Sequence, residues 1–130
     1  MLRALWRLRV AVNLHPEYVE LACTGLFSRS EAFRISDEAF RRAAAESRRN
    51  ILIDARRVVG RVPTILDRYE IGVNVARSTL EQLPRVRLAL LGHEPMIHPD
   101  RFGEIVARNR GADARVFTDE AEALRWLGAA

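Results

Sequence analysis

The sequence predicts an α/β fold: a single mixed sheet of about five strands with about four helices, occupying residues 1–130 as one domain. Three observations carry that expectation. The chain opens with two segments of strict apolar alternation joined by a proline-bearing turn, as in an antiparallel hairpin. Past Gly25 the apolar period lengthens to that of a helix, and helical and strand-like segments then alternate to the end. Strands separated by helices run parallel, because each crossover returns the chain to the same end of the sheet. With 48% hydrophobic and 29% charged residues, the 130-residue chain suits one packed core and lies far from a disordered composition.

Each element follows from its local pattern. Trp6, Leu8, Val10, Val12 and Leu14 share one parity and Arg7, Arg9, Ala11 and Asn13 the other, so the first strand is expected to bury one side. His15-Pro16-Glu17 ends it, since proline removes a ladder donor. Val19, Leu21 and Cys23 then alternate with Tyr18, Glu20, Ala22 and Thr24 in a second strand. Phe33, Phe40, Ala43 and Ala44 lie at helical spacing. Ser28 with Glu31 and Ser36 with Asp37-Glu38 offer two starts, which leaves open one helix across 28–49 or a turn followed by a helix over about 37–49. Asn50 to Asp54 is a short continuous apolar run, as expected of a central strand covered on both faces. The clearest helix follows Thr64, with Ile65, Tyr69, Gly72, Val73, Ala76, Leu80 and Leu83 as its stripe and Pro84 as its end. Val86 to Leu91 is a fourth strand, and Gly92 to Pro99 is a loop. Phe102, Ile105 and Val106 mark a third helix ending near Gly111. Ala114 to Phe117 is a fifth strand. Thr118-Asp119-Glu120 caps a last helix whose inner face is Ala121, Leu124 and Leu127.

Composition excludes several chemistries. All 21 basic residues are arginine, so lysine Schiff bases, lysine general bases and the phosphate-loop lysine are absent. The net charge of +4 arises from arginines scattered among acids, which reads as a solvated surface, and nucleic acid is not an expected partner. The lone Cys23 forbids an internal disulfide and suits a reducing cytoplasm. The opening residues hold no unbroken apolar run, and nothing approaches the roughly 20 apolar residues that cross a bilayer. No membrane insertion is expected. Gly-x-Ser-x-Gly, Gly-x-Gly-x-x-Gly and the phosphate-binding loop are all missing. With no nucleophile–base constellation the expectation is a non-enzyme without a cofactor.

The leading hairpin, Ile51-Leu52-Ile53-Asp54-Ala55-Arg56, Asp67-Arg68-Tyr69 opening the next helix, and the ending from Arg115 to Leu127 together resemble the STAS domain family (sulfate transporter and anti-sigma factor antagonist). The likeness runs from about Trp6 to Leu127 and is nearest to the stand-alone SpoIIAA-like bacterial proteins, which are also grouped with lipid-binding domains of the CRAL-TRIO type. It implies a regulatory or protein-interaction role, with a protein partner or a second copy of the chain as the expected contact. Signalling members of the family carry an Asp-Ser-Ser-Gly-like element after the central strand, whose serine a partner kinase phosphorylates. Here the stretch from Asp54 to Thr64 contains no serine. Thr64 stands just before a helix, where its hydroxyl is expected to cap free N–H groups rather than accept phosphate.

Two segments are candidates for binding, because ligands of open α/β sheets gather outside the carboxyl ends of parallel strands. The first holds Arg56, Arg57, Arg61 and Thr64 beside a helix start, where dipole, free N–H groups and bidentate guanidinium bonds favour an anion. The alternative is that these arginines pair with surface acids such as Asp67 and Glu70. The second holds His93 and His98. They stand five apart in a loop broken by Pro95, not four apart on a helix as a zinc site requires, so no metal is expected. The alternative to an interaction domain is a carrier for a small anionic or amphipathic, lipid-like ligand. A deep apolar pocket with arginines at its mouth would mark the carrier, and a flat apolar patch would mark the protein partner.

Overall fold

The computed structural model describes residues 7–82 and 85–129. The expectations for Trp6, Leu83 and Pro84 fall outside them. Five strands, β1 (Arg9–Leu14), β2 (Val19–Leu26), β3 (Asn50–Val59), β4 (Arg87–Leu91) and β5 (Asp113–Phe117), form one sheet in that spatial order. β1 pairs antiparallel with β2, and every later pair is parallel. The described helices are α1 (Arg29–Ala45), α2 (Ile65–Glu81), α3 (Phe102–Asn109) and α4 (Glu120–Trp126). This is the mixed five-stranded sheet with four helices that the alternating pattern predicts.

The strand order explains where the helices sit. Each crossover adds the next strand on the same side, so a constant right-handed connection places its helix on the same face every time. α1, α2 and α3 share one face, over a core that includes Val19, Leu21, Ile35, Phe40, Ile51 and Val75. α4 covers only part of the opposite face, where Ala123 and Leu127 meet Tyr18, Leu52, Ala89 and Leu91. Tyr18 is therefore buried although its parity points away from the main core.

Several elements differ from their sequence patterns, each for a physical reason. Residues 29–45 form one continuous helix, begun by Ser28, whose Oγ accepts the Glu31 N–H at 3.2 Å. The reciprocal half of the capping box is missing because the Glu31 carboxylate is used elsewhere. It accepts the Leu8 N–H at 2.7 Å and two bonds from Arg34, tying the hairpin to the helix. β3 does not stop at Asp54. After a bulge it continues to Val59, because β2 also continues and supplies the partners Thr24↔Arg57, Gly25↔Val58 and Leu26↔Val59. Leu14, expected inside, is 51% exposed at the end of an edge strand.

The face of α2 is the largest departure. Ile65 and Leu80 of the anticipated stripe are 73% and 66% exposed. Part of the buried side is polar instead: Asn74 Nδ2 and Ser78 Oγ donate to Asp37 of α1 at 3.3 and 3.0 Å. That seam rotates the helix relative to its apolar stripe. Gly72 fixes the next contact, since a Cβ there would lie 2.7 Å from the Gly103 carbonyl oxygen of α3. On α4 Ala123 is buried and Leu124 half-buried against this core, with the C-cap Leu127 buried beside them and Ala121 exposed.

Candidate functional site

The start of α2 is built around Asp67. Thr64 Oγ1 accepts the Asp67 N–H at 3.0 Å, and the Asp67 carboxylate accepts the Thr64 N–H at 2.8 Å, a complete capping box. Arg61 adds two bonds to the same carboxylate, at 2.5 and 3.3 Å, while its guanidinium lies 4.9 Å from the centre of the Phe27 ring. The Arg61 bonds, offset in part by burial and reinforced by the Thr64 bonds, together hold the Asp67 carboxyl at about 2, below its ordinary 3.8. Arg56 is likewise engaged, with Asp54 at 2.8 Å and Glu120 of α4 at 2.7 Å. Arg56, Arg57, Arg61 and Thr64 thus do not converge. Arg56 and Arg57 lie on β3 rather than in a loop, and Arg61 and Thr64 are committed to the helix cap.

Around this cap the surface is apolar. Leu26 and Val59 are register partners at the ends of β2 and β3 and are 47% and 56% exposed. Val62, Ile65, Leu66 and Tyr69 follow along the chain into α2, at 46%, 73%, 58% and 39% exposure, with Arg110 of the α3 end 5.3 Å from the Tyr69 ring centre and donating to its hydroxyl at 3.2 Å. The exposed Arg57 and Arg61 and the half-buried Arg29 border these residues in sequence or through Asp67.

Behind the patch, between the three helices and the sheet, lies a cavity of about 190 Å³. Its wall includes Cys23, Ile53, Val58, Ile71, Val75 and Leu90. Burial pushes the Cys23 thiol up to about 12, so it stays protonated and apolar in character. Ser36 also lines the cavity, with its hydroxyl buried and without a hydrogen-bond partner. A second, polar hollow of about 460 Å³ adjoins it beyond the ends of β4 and β5, lined by His93, Glu94, Arg101 and Thr118. The two share Ile97, His98, Arg101 and Val116 as a common wall.

The structure thus brings His93 and His98 to one hollow, separate from the Arg56–Thr64 segment. His98 Nδ1 accepts the Asp100 N–H at 3.0 Å. Sequence reasoning missed Arg101 and Ser36. Arg101 carries φ 54° at the start of α3 and gives that helix no side-chain cap. A left-handed arginine leaves no mark in an apolar pattern, and Ser36 reads as a helix-start residue until the helix is seen to begin earlier. Among the described residues no group of three or more His, Cys, Asp or Glu is placed to hold a metal ion. None of the described helices is long and apolar enough to cross a membrane.

A mixed sheet led by an antiparallel hairpin, with its crossover helices on one face, defines the SpoIIAA-like class of α/β domains. Solved structures share it, two of them as follows. An anti-sigma factor antagonist from Mycobacterium paratuberculosis superposes with a TM-score of 0.60 at 12% identity, over 93% of this chain and 94% of that one. An uncharacterized protein of the DUF3478 family with a SpoIIAA-like fold, from Shewanella loihica, gives 0.51 at 14% identity over 93% of both chains. At these identities the likeness establishes the fold. No family model matches the chain, and no curated protein matches it in sequence.

Proposed function

We propose that this chain is a non-enzymatic regulatory domain that docks a protein partner on the surface formed by Leu26, Val59, Val62, Ile65, Leu66 and Tyr69. The observation that carries the reading is the exposure of six large apolar side chains in one region around the α2 cap. The fold shared with an anti-sigma factor antagonist supports it. Arg57 beside the patch selects a partner whose apolar segment is flanked by an acidic residue, so the anion that this arginine meets belongs to the partner. Thr64 is the cap of α2, and binding is not switched by phosphate at this position. Ile65→Glu tests the surface: an affinity capture that recovers a partner with the native chain should lose it with this variant, and added salt should weaken the native complex. Equal recovery by both chains would count against the patch.

The cavity favours a second reading, binding of a small apolar or amphipathic ligand. A dry, apolar cavity of about 150 Å³ is large enough to take up benzene, and this one is of that order at about 190 Å³. Native mass spectrometry of freshly purified protein tests it through a retained mass, and also reports whether the chain pairs with a second copy.

A further inference from the structure

The 190 Å³ cavity and the 460 Å³ hollow are not independent, because Ile97, His98, Arg101 and Val116 wall both. One space is apolar and lies under the helices. The other is polar and lies beyond the carboxyl ends of β4 and β5. A molecule that filled both would carry an apolar tail and a polar head.

The charge of the head follows from the groups around it. Arg68 and Arg115 also line the cavity, the first with its guanidinium occupied and the second beside an aromatic ring, with its Nε buried and unpartnered. Arg68 donates to the Pro95 and Met96 carbonyls at 3.1 and 3.0 Å, and Arg115 lies 5.6 Å from the Trp126 ring centre. Arg101 is different: it is exposed, and its guanidinium makes no hydrogen bond or ion pair among the described residues. Its left-handed backbone holds it at the opening of α3, whose first N–H groups have no side-chain cap. His98 accepts the Asp100 N–H at Nδ1, so the neutral ring keeps its proton on Nε2 as a donor. His93 and Thr118 add further polar groups, and Glu94 is the one carboxylate in the hollow's wall. In the cavity wall the unpartnered hydroxyl of Ser36, a residue only 3% exposed, marks a place not closed by packing.

We propose that the cavity and the hollow open into each other across Ile97, His98, Arg101 and Val116 and together bind an amphipathic carboxylate, a single aromatic ring or short acyl chain in the cavity with its carboxylate between Arg101 and His98. This rests on the ligand-binding reading above and adds the head group to it. Three probes of equal chain length separate the two: octanoate, octanol and octylammonium, each titrated into the full chain and followed by methyl NMR. The expected result is saturable binding of octanoate, weaker binding of octanol and weaker still of octylammonium. Arg101→Asn, which tolerates the left-handed backbone, should cost octanoate about 10-fold in affinity and leave octanol unchanged, as for a lost charge-assisted bond. Ser36→Leu, which fills the cavity and removes an orphaned hydroxyl, should abolish binding of octanoate and octanol. Equal affinities for octanoate and octanol, or a preference for octylammonium, overturn the carboxylate site and leave the cavity as an apolar site. Absence of saturable binding by any probe, or binding that survives Ser36→Leu, overturns both.

Discussion

Asp67 concentrates the physics of the α2 cap at one residue. The residue is 4% exposed, and its carboxylate holds Arg61 and the Thr64 N–H together. Because its pKa is depressed from 3.8 to about 2, its contribution to stability is present above the ordinary carboxylate value and is lost as pH falls between the two. Asp67→Asn should cost about 1–2 kcal/mol near neutral pH through the weakened cap. It should also flatten the acid end of the stability–pH curve, measured by urea denaturation across that window. Glu31 and Asp54, lowered chiefly by bonds from Arg34 and Arg56, retain the same sign of acid dependence in the variant. Cys23 makes the opposite case. Its thiol, buried and raised to about 12, should resist alkylation in the native protein near neutral pH and react once the chain is unfolded in urea.

At the scale of elements, the α2–α3 crossing sets the shape of the cavity. The two helices approach through Gly72 and Gly103, with no room for a side chain at the first. Gly72→Ala places a methyl against backbone and against Val106, and should lower stability by about 1–3 kcal/mol despite the better helix propensity of alanine. The midpoint of urea unfolding reads that change. This crossing was only partly legible beforehand: Gly72 counts as an apolar member of a periodic stripe, but the stripe does not say which helix it faces. β3 shows the same limit. Its apolar run ends at Ile53, yet the strand extends to Val59, because length is set by hydrogen-bonding partners on β2 rather than by local hydrophobicity. Arg56 and Arg57 therefore sit on a strand although their composition reads as a loop. By contrast, the caps at Thr64 and Asp119 were legible at once, since an N-cap bond depends only on residues within one turn, whereas Ser28 and Ser36 offered rival starts that only the packing decides.

For the whole molecule, the sequence of periods from 2 to 3.6 and back was sufficient for the architecture, because parallel connections leave few topologies. The site was less legible. Exposed apolar residues at the end of β2, the end of β3 and the start of α2 are distant in sequence and carry no motif, and only the sheet register brings Leu26 beside Val59. The cavity is a property of how three helices lie over a sheet, and no local pattern encodes it. The all-arginine composition keeps its use as an exclusion, while the pairing of Arg56 with Asp54 and Glu120 shows that arginine in a candidate segment need not form an anion site. The central claim is that the Leu26–Tyr69 surface docks a protein. Its most direct measurement is the affinity of the captured partner for three chains: native, Ile65→Glu and Leu14→Glu. Leu14 is also exposed but lies at the far edge of the sheet on β1. Leu14→Glu should keep native affinity and Ile65→Glu should lose at least about 10-fold, as for a residue at the centre of an interface. Equal affinities for all three chains would contradict it.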